Sequence, residues 1–202
     1  MAIARKTIIC FLILMAATLA ACGRVRRVDM GELEKAGMSY TRIEELRKMD
    51  VTESEVAEVV KVRQSGVSDA TCVEVVRIFR GRAAEPAKIF SAGDRSAGLR
   101  RAGMREAAIL ELARLDQLGI WAGEARAIRL AGISDEVILE LARRRAAGQP
   151  TLSGPTLTQL RNAGMDNPAL LELVRDGITD EAAEKFLSAR RRATSCTTFR
   201  RR

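Results

Sequence analysis

Ala131-Gly132-Ile133-Ser134-Asp135-Glu136 is the stretch whose reading decides the fold. A glycine just past a helix end takes the left-handed backbone that a side chain opposes. The large apolar residue after it folds back onto the last turn of the helix being left. Ser, Thr or Asp in the next place can cap the following helix, and acids in its first turn suit the helix dipole. The phrase therefore reads as helix stop, tight corner, helix start.

The phrase recurs along the chain. It stands as Ala36-Gly37-Met38-Ser39, Ser65-Gly66-Val67-Ser68, Ala102-Gly103-Met104, Leu118-Gly119-Ile120, Ala163-Gly164-Met165-Asp166 and Asp176-Gly177-Ile178-Thr179. Met49-Asp50-Val51-Thr52 is a degenerate copy with Asp in the glycine place, and Thr52 with Glu55 forms a capping box. The steps from Gly37 to Asp50 and from Asp50 to Gly66 are 13 and 16 residues. Those from Gly103 to Gly119 and from Gly119 to Gly132 are 16 and 13, and Gly164 to Gly177 is again 13. Each step fits one helix of about 10 residues and a corner. Ile109, Leu112, Ala113 and Ile138, Leu141, Ala142 recur at helical spacing. Val56, Val59 and Val60 do so too, although Val-rich segments also suit strands.

These observations predict an all-α chain of repeated helix-corner-helix units, either an α-solenoid or a compact helical bundle. The phrase matches neither the tetratricopeptide nor the ankyrin signature. The predicted body is 32–192. Gly and Pro over 81–98 and over 146–156 predict loops dividing it into sub-blocks of about 32–80, 99–147 and 157–192. Residues 193–202 are expected to be a disordered Arg-rich tail. Met38, Met104 and Met165 share one slot of the phrase and read as packing residues, as does Trp121 after its corner.

The chain opens differently. Arg5 and Lys6 precede an apolar run from Ile8 to Leu19, then small residues and Cys22-Gly23. Basic start, short apolar core and small-residue exit make an export signal over 1–21, and the run is too short to span a bilayer. Leu19-Ala20-Ala21-Cys22 resembles the lipobox of bacterial prolipoproteins. The resemblance implies cleavage between Ala21 and Cys22, and lipids on Cys22 as the only attached group. It implies a tether over 22–31, a membrane partner through the anchor, and a place in the cell envelope. Gly23, where Asp would retain the protein at the inner membrane, favours the outer membrane facing the periplasm in a Gram-negative source.

The net charge of +8 belongs to the ends of the chain. All 26 acidic residues lie between 28 and 189, against 23 basic ones there, so the body is near −3. Arg24, Arg26 and Arg27 adjoin the anchor, and Arg200, Arg201 and Arg202 close the chain as candidate contacts for a polyanion such as lipopolysaccharide. Cys72 falls in an apolar run and reads as a core residue, and a disulfide to Cys196 is the alternative in an exported protein.

The chain has no histidine. That removes the commonest general base, nucleophile activator and metal ligand. No phosphate-binding or zinc-protease phrase occurs. Neither a catalytic residue, a metal ligand, a cofactor site nor a small-molecule substrate is assigned, and no enzyme is expected. Leu160 to Met165 loosely resembles a helix-hairpin-helix corner, but Asp166 stands where that motif wants glycine and would repel phosphate, so no nucleic-acid partner is expected. The expected function is a structural or protein-interaction module of the envelope. Binding of lipopolysaccharide or peptidoglycan through the basic tail is the alternative, and a glycan-active enzyme comes last.

Overall fold

In the computed structural model, residues 28–81, 87–116 and 118–199 are described, and these hold eleven helices and no strand. One layer consists of α2 (Tyr40–Lys48), α4 (Asp69–Gly81), α6 (Glu106–Arg114), α8 (Asp135–Ala146) and α10 (Asn167–Arg175). The other consists of α1 (Gly31–Lys35), α3 (Glu53–Gln64), α5 (Ala87–Arg101), α7 (Leu118–Leu130), α9 (Gly154–Asn162) and α11 (Asp180–Phe199). Among the described residues, each helix touches only helices one or two places away in chain order. That nearest-neighbour pattern is an α-solenoid: five helical hairpins, α1–α2, α3–α4, α5–α6, α7–α8 and α9–α10, followed by the long helix α11.

The corners form as the sequence predicts. At Gly132, φ is +79°, its N–H donates to the Arg129 carbonyl at 3.0 Å, and the Ile133 N–H donates to the Ile128 carbonyl at 3.4 Å. This is the Schellman closure of a helix end. Met38, Met104, Ile133 and Val67, each following a corner glycine, are buried. The Thr52–Glu55 capping box is present, and the Val-rich segment 53–64 is helical rather than extended. Ser153 and Asp166 also cap through their side chains, whereas Ser39 and Ser134 do not.

Three expectations are corrected. Leu118-Gly119-Ile120 is no corner: it opens α7, and the left-handed residue is Asp116, with φ +58°. Asp116 pairs with Asp50 (φ +54°) as the second non-glycine residue in this conformation, which a short polar side chain tolerates. The corrected steps, 13 from Gly103 to Asp116 and 16 from Asp116 to Gly132, repeat those from Gly37 to Gly66. The predicted loop over 81–98 is helical from Ala87 onward, so α5 joins the sub-blocks rather than separating them. Residues 193–199 continue α11 instead of forming a tail.

The core of the array falls into two clusters that meet at α4. One buried cluster spans Met30 to Val76 and a second spans Val75 to Leu187, and α4 carries residues of both. The two glycines of α5 sit where helices approach. A Cβ on Gly93 would lie 2.9 Å from the Glu58 backbone carbonyl of α3, whereas one on Gly98 would lie 3.7 Å from the Arg126 side chain. Overpacking against backbone costs about 1–3 kcal/mol, while an uncrowded helical glycine replaced by alanine gains up to about 1 kcal/mol. Urea unfolding should therefore show Gly93→Ala destabilised and Gly98→Ala neutral or stabilised. Equal effects at the two positions would rule out the close α3–α5 approach.

Candidate interaction surface

Successive repeats are joined by one recurring set of contacts at the corners. An arginine lies three residues before the corner glycine in Arg63, Arg100, Arg129 and Arg161. Its guanidinium donates to the carbonyl just past its own corner: Val67 at 3.4 Å, Met104 at 3.4 Å, Ile133 at 3.5 Å and Met165 at 3.0 Å. Three of the four also reach back to the preceding corner glycine. Arg63 bonds the Gly37 carbonyl at 3.2 Å, Arg100 that of Gly66 at 3.4 Å and Arg129 that of Gly103 at 3.1 Å.

A second arm lies three residues after the glycine. The side chains of Asp69, Glu106, Asp135 and Asn167 accept the backbone N–H of Ser39, Ser68, Arg105 and Ser134, at 2.8, 3.0, 3.0 and 2.9 Å. Asn167 also donates its amide N–H to the Gly132 carbonyl at 3.4 Å, the bond an arginine makes elsewhere. Arg63 Nε lies 2.6 Å from Asp69, and Arg129 Nε 3.1 Å from Asp135, so the two arms neutralise each other. The Asp135 side chain is 3% exposed.

Burial alone would push the carboxylates of Asp69 and Glu106 up. The hydrogen bonds from Ser39 to Asp69, and from Ser68 and Thr71 to Glu106, outweigh it and hold both below the ordinary range. Asp180 is held low in the same way: hydrogen bonds from Ser153 oppose its burial.

Outside this latch, the layer of α2, α4, α6, α8 and α10 carries a charge ladder. Glutamate stands eight residues after the corner glycines 37, 66, 103, 132 and 164, as Glu45, Glu74, Glu111, Glu140 and Glu172. A basic residue stands eleven after, as Lys48, Arg77, Arg114, Arg143 and Arg175. Arg77 lies 3.7 Å from Glu45, Arg114 3.6 Å from Glu74 and Arg143 3.4 Å from Glu111, each pair bridging adjacent repeats. The arginines are about half exposed, so each pair contributes no more than about 1 kcal/mol. The ladder presents a regular, mixed-charge surface along the whole array.

Between the layers, the guanidinium of Arg145 on α8 lies over the Trp121 ring of α7, 4.9 Å from its centroid, and pairs with Glu124 at 2.7 Å. Trp121 is thus a packed residue of α7. At the end of the array, Glu181, Glu184, Lys185, Ser188 and Ala189 line an open hollow on α11.

The residues singled out from the sequence are not brought together. Ala21, Cys22, Arg200, Arg201 and Arg202 lie outside the described residues. Cys72 is a buried free thiol that burial pushes up to about 12, which leaves it inert as a nucleophile. Cys196 lies on α11, where side chains are not described. Among the described residues, no group of three or more His, Cys, Asp or Glu is placed to hold a metal, and no helix is long and apolar enough to cross a membrane. The latch and ladder residues went unread, although their signal is plain: fixed offsets from each corner glycine. No family model, curated protein or solved structure matches the chain.

Two outcomes test the latch. Asp135→Ala strands Arg129 and the Arg105 N–H and should cost about 3 kcal/mol, as loss of one partner of a buried pair does. Asp135→Asn should cost clearly less, because Asn167 serves the same place one repeat on. Equal losses in urea unfolding would show that the accepted N–H bond is not what matters.

The depressed carboxylates set a sign for pH. Their stabilisation is complete above the unfolded-chain value and is lost as pH falls through it towards the folded value. The urea midpoint should hold from pH 7 to about 5 and fall below about pH 4.5. Glu106→Gln should make that fall shallower.

Proposed function

We propose that the chain is a lipid-anchored bacterial envelope protein whose helical array is a binding scaffold for a protein partner, and that its role is binding rather than catalysis. The observation that carries this reading is a nearest-neighbour array with a repeating charged face, following a lipobox-like start at Leu19 to Cys22. A surface built from one unit repeated at fixed offsets suits an extended partner better than a small ligand.

The anchor adds a constraint on place. From Gly23 to Met30 there are eight residues before α1 begins. Fully extended they reach at most about 28 Å, so the array starts close to the bilayer. Two or more acyl chains on Cys22 would hold it there stably. The partner is therefore a membrane-proximal protein, on the periplasmic side of the outer membrane in a Gram-negative cell.

In-cell cross-linking of the wild-type chain, with Cys22→Ala as control, tests this. The expected result is a discrete protein partner from the membrane fraction that is lost, together with membrane retention, when Cys22 is replaced. Membrane retention of Cys22→Ala would overturn the anchor. Recovery of lipopolysaccharide or glycan in place of a protein would overturn the scaffold.

A further inference from the structure

We propose that the end of the array, beside α10 and α11, is a docking site for one amphipathic helix of a partner protein, and that this helix carries the pattern of α8. That pattern is arginine three residues before a corner glycine, aspartate three after it, leucine seven after and arginine eleven after. The proposal rests on the scaffold reading above for the existence of a protein partner, and adds its place and its chemistry.

The accepting side chain three residues after each corner glycine points its helix edge at the preceding repeat. The residues five and nine places after the glycine lie on the other edge, towards the repeat that follows. On α6 that edge holds Ala108 and Leu112, with Met104 at the corner, exposed by 2%, 0% and 0%. The next helix of the same layer, α8, packs on α6. On α10 the same three places again hold Met165, Ala169 and Leu173, all half-buried. The residues one and nine places after the glycine are buried in all four earlier helices of this layer and half-buried in α10 alone. A surface that takes α8 at one point of the array is thus duplicated on α10, where among the described residues no helix of its layer follows.

The polar contacts stop at the same place. The carbonyls of Gly37, Gly66, Gly103 and Gly132 each accept a bond from the next repeat, and the N–H groups two residues later each donate one to it. At the last such corner, no described residue donates to the Gly164 carbonyl or accepts from the Asp166 N–H. Glu111 pairs with Arg143 of α8 at 3.4 Å, whereas Glu172, its counterpart, is exposed and unpaired among the described residues. On α11, Phe186 stands seven residues after Thr179, as Val59 and Leu160 stand seven after Thr52 and Ser153. Val59 and Leu160 are buried in hairpins that α4 and α10 complete, while Phe186 is 47% exposed beside the buried Ala183 and Leu187. Open backbone groups, an unpaired glutamate and two apolar edges therefore all mark the place of one further helix, which would lie beside α10 and complete a hairpin with α11.

The array itself defines what fits there. Arg129 and Asp135 supply the latch to the α6 corner, and Arg143 supplies the ladder pair. A second copy of this chain does not match. The leading edge of its array carries Glu34, Tyr40 and Glu44 where α8 has Arg129, Asp135 and Leu139. Glu34 cannot donate to the Gly164 carbonyl, and Glu44 would set a charge where an apolar side chain belongs.

A fluorescein-labelled synthetic peptide of residues 129–146, which is α8 with its corner, is the probe. Fluorescence anisotropy with the full chain in mild detergent should show saturable binding of one peptide per chain. Leu173→Asp in the chain should weaken it by at least about tenfold, and so should Arg129→Ala with Asp135→Ala in the peptide. Glu172→Arg in the chain and Arg143→Glu in the peptide should each weaken it about threefold, and the two together should restore it. Circular dichroism should show the chain variants folded, and the peptide variants decide the matter if Leu173→Asp is not. Absence of saturable binding, or binding indifferent to the Arg129 and Asp135 substitutions, would overturn the proposal. In cells, a photo-cross-linking side chain at position 173 should capture the partner through a helix of this pattern. A partner cross-linked to the wild-type chain but never through position 173 would overturn this site and leave the scaffold reading standing.

Discussion

The arginine three residues before the corner glycine, repeated at Gly66, Gly103, Gly132 and Gly164, is the contact on which the array depends. A helix end leaves its last carbonyls without partners within the helix, and here the neighbouring repeat supplies some of them. One guanidinium satisfies a carbonyl of its own corner and one of the corner before it, as Arg63 does for Val67 and Gly37. Its planar fork holds those two acceptors at a fixed separation, which a lysine ammonium on a flexible stem would not do. The register between repeats is thereby set by backbone atoms, and side-chain packing fills what that register leaves. The accepting side chain three residues after the glycine completes the arrangement from the donor side. It also supplies the carboxylate that makes burying an arginine tolerable in Asp69 and Asp135.

The latch explains departures from the repeat as well as the repeat. Glu34 and Tyr40 stand in the first unit where later units have Arg and Asp, Glu or Asn. Among the described residues no corner precedes Gly37, so neither arm has anything to hold. Tyr40 is accordingly 69% exposed, while Asp135 in the same place is buried. At Gly132 the back-reaching bond passes from the arginine to Asn167, which donates and accepts at one corner. A neutral amide makes both bonds without a counter-charge, so Arg161 keeps only the forward one to Met165.

How much of this could be read from the sequence follows from where each signal lies. Corner glycines, the Thr52–Glu55 box and the helical apolar spacing are local, and each was legible. The errors came from glycines with a different purpose. Gly119 sits in a phrase identical in form to a corner yet opens a helix, and Gly93 lies in a Gly-rich stretch yet serves the approach of α5 to Glu58. Local phrase cannot separate a glycine needed for its backbone angle from one needed for its lack of a side chain. Spacing can: the 13 and 16 steps of the first repeat, carried to Gly103, point to Asp116. The latch was harder, because its arms pair with backbone atoms some 30 residues away and a backbone atom leaves no mark on composition.

An array whose contacts are all nearest-neighbour has a particular energetic consequence at its end. Each inner helix is held by neighbours on both sides, whereas α11 touches α9 alone among the described residues, so α11 opens most readily. Here α11 rests on α9 through Ala183 and Leu187 alone among fully buried side chains, with Ser153 and Asp180 closing the joint. The bond from the Ser153 N–H to Asp180 therefore bears directly on that opening, and its loss should free α11 before it disturbs the inner repeats.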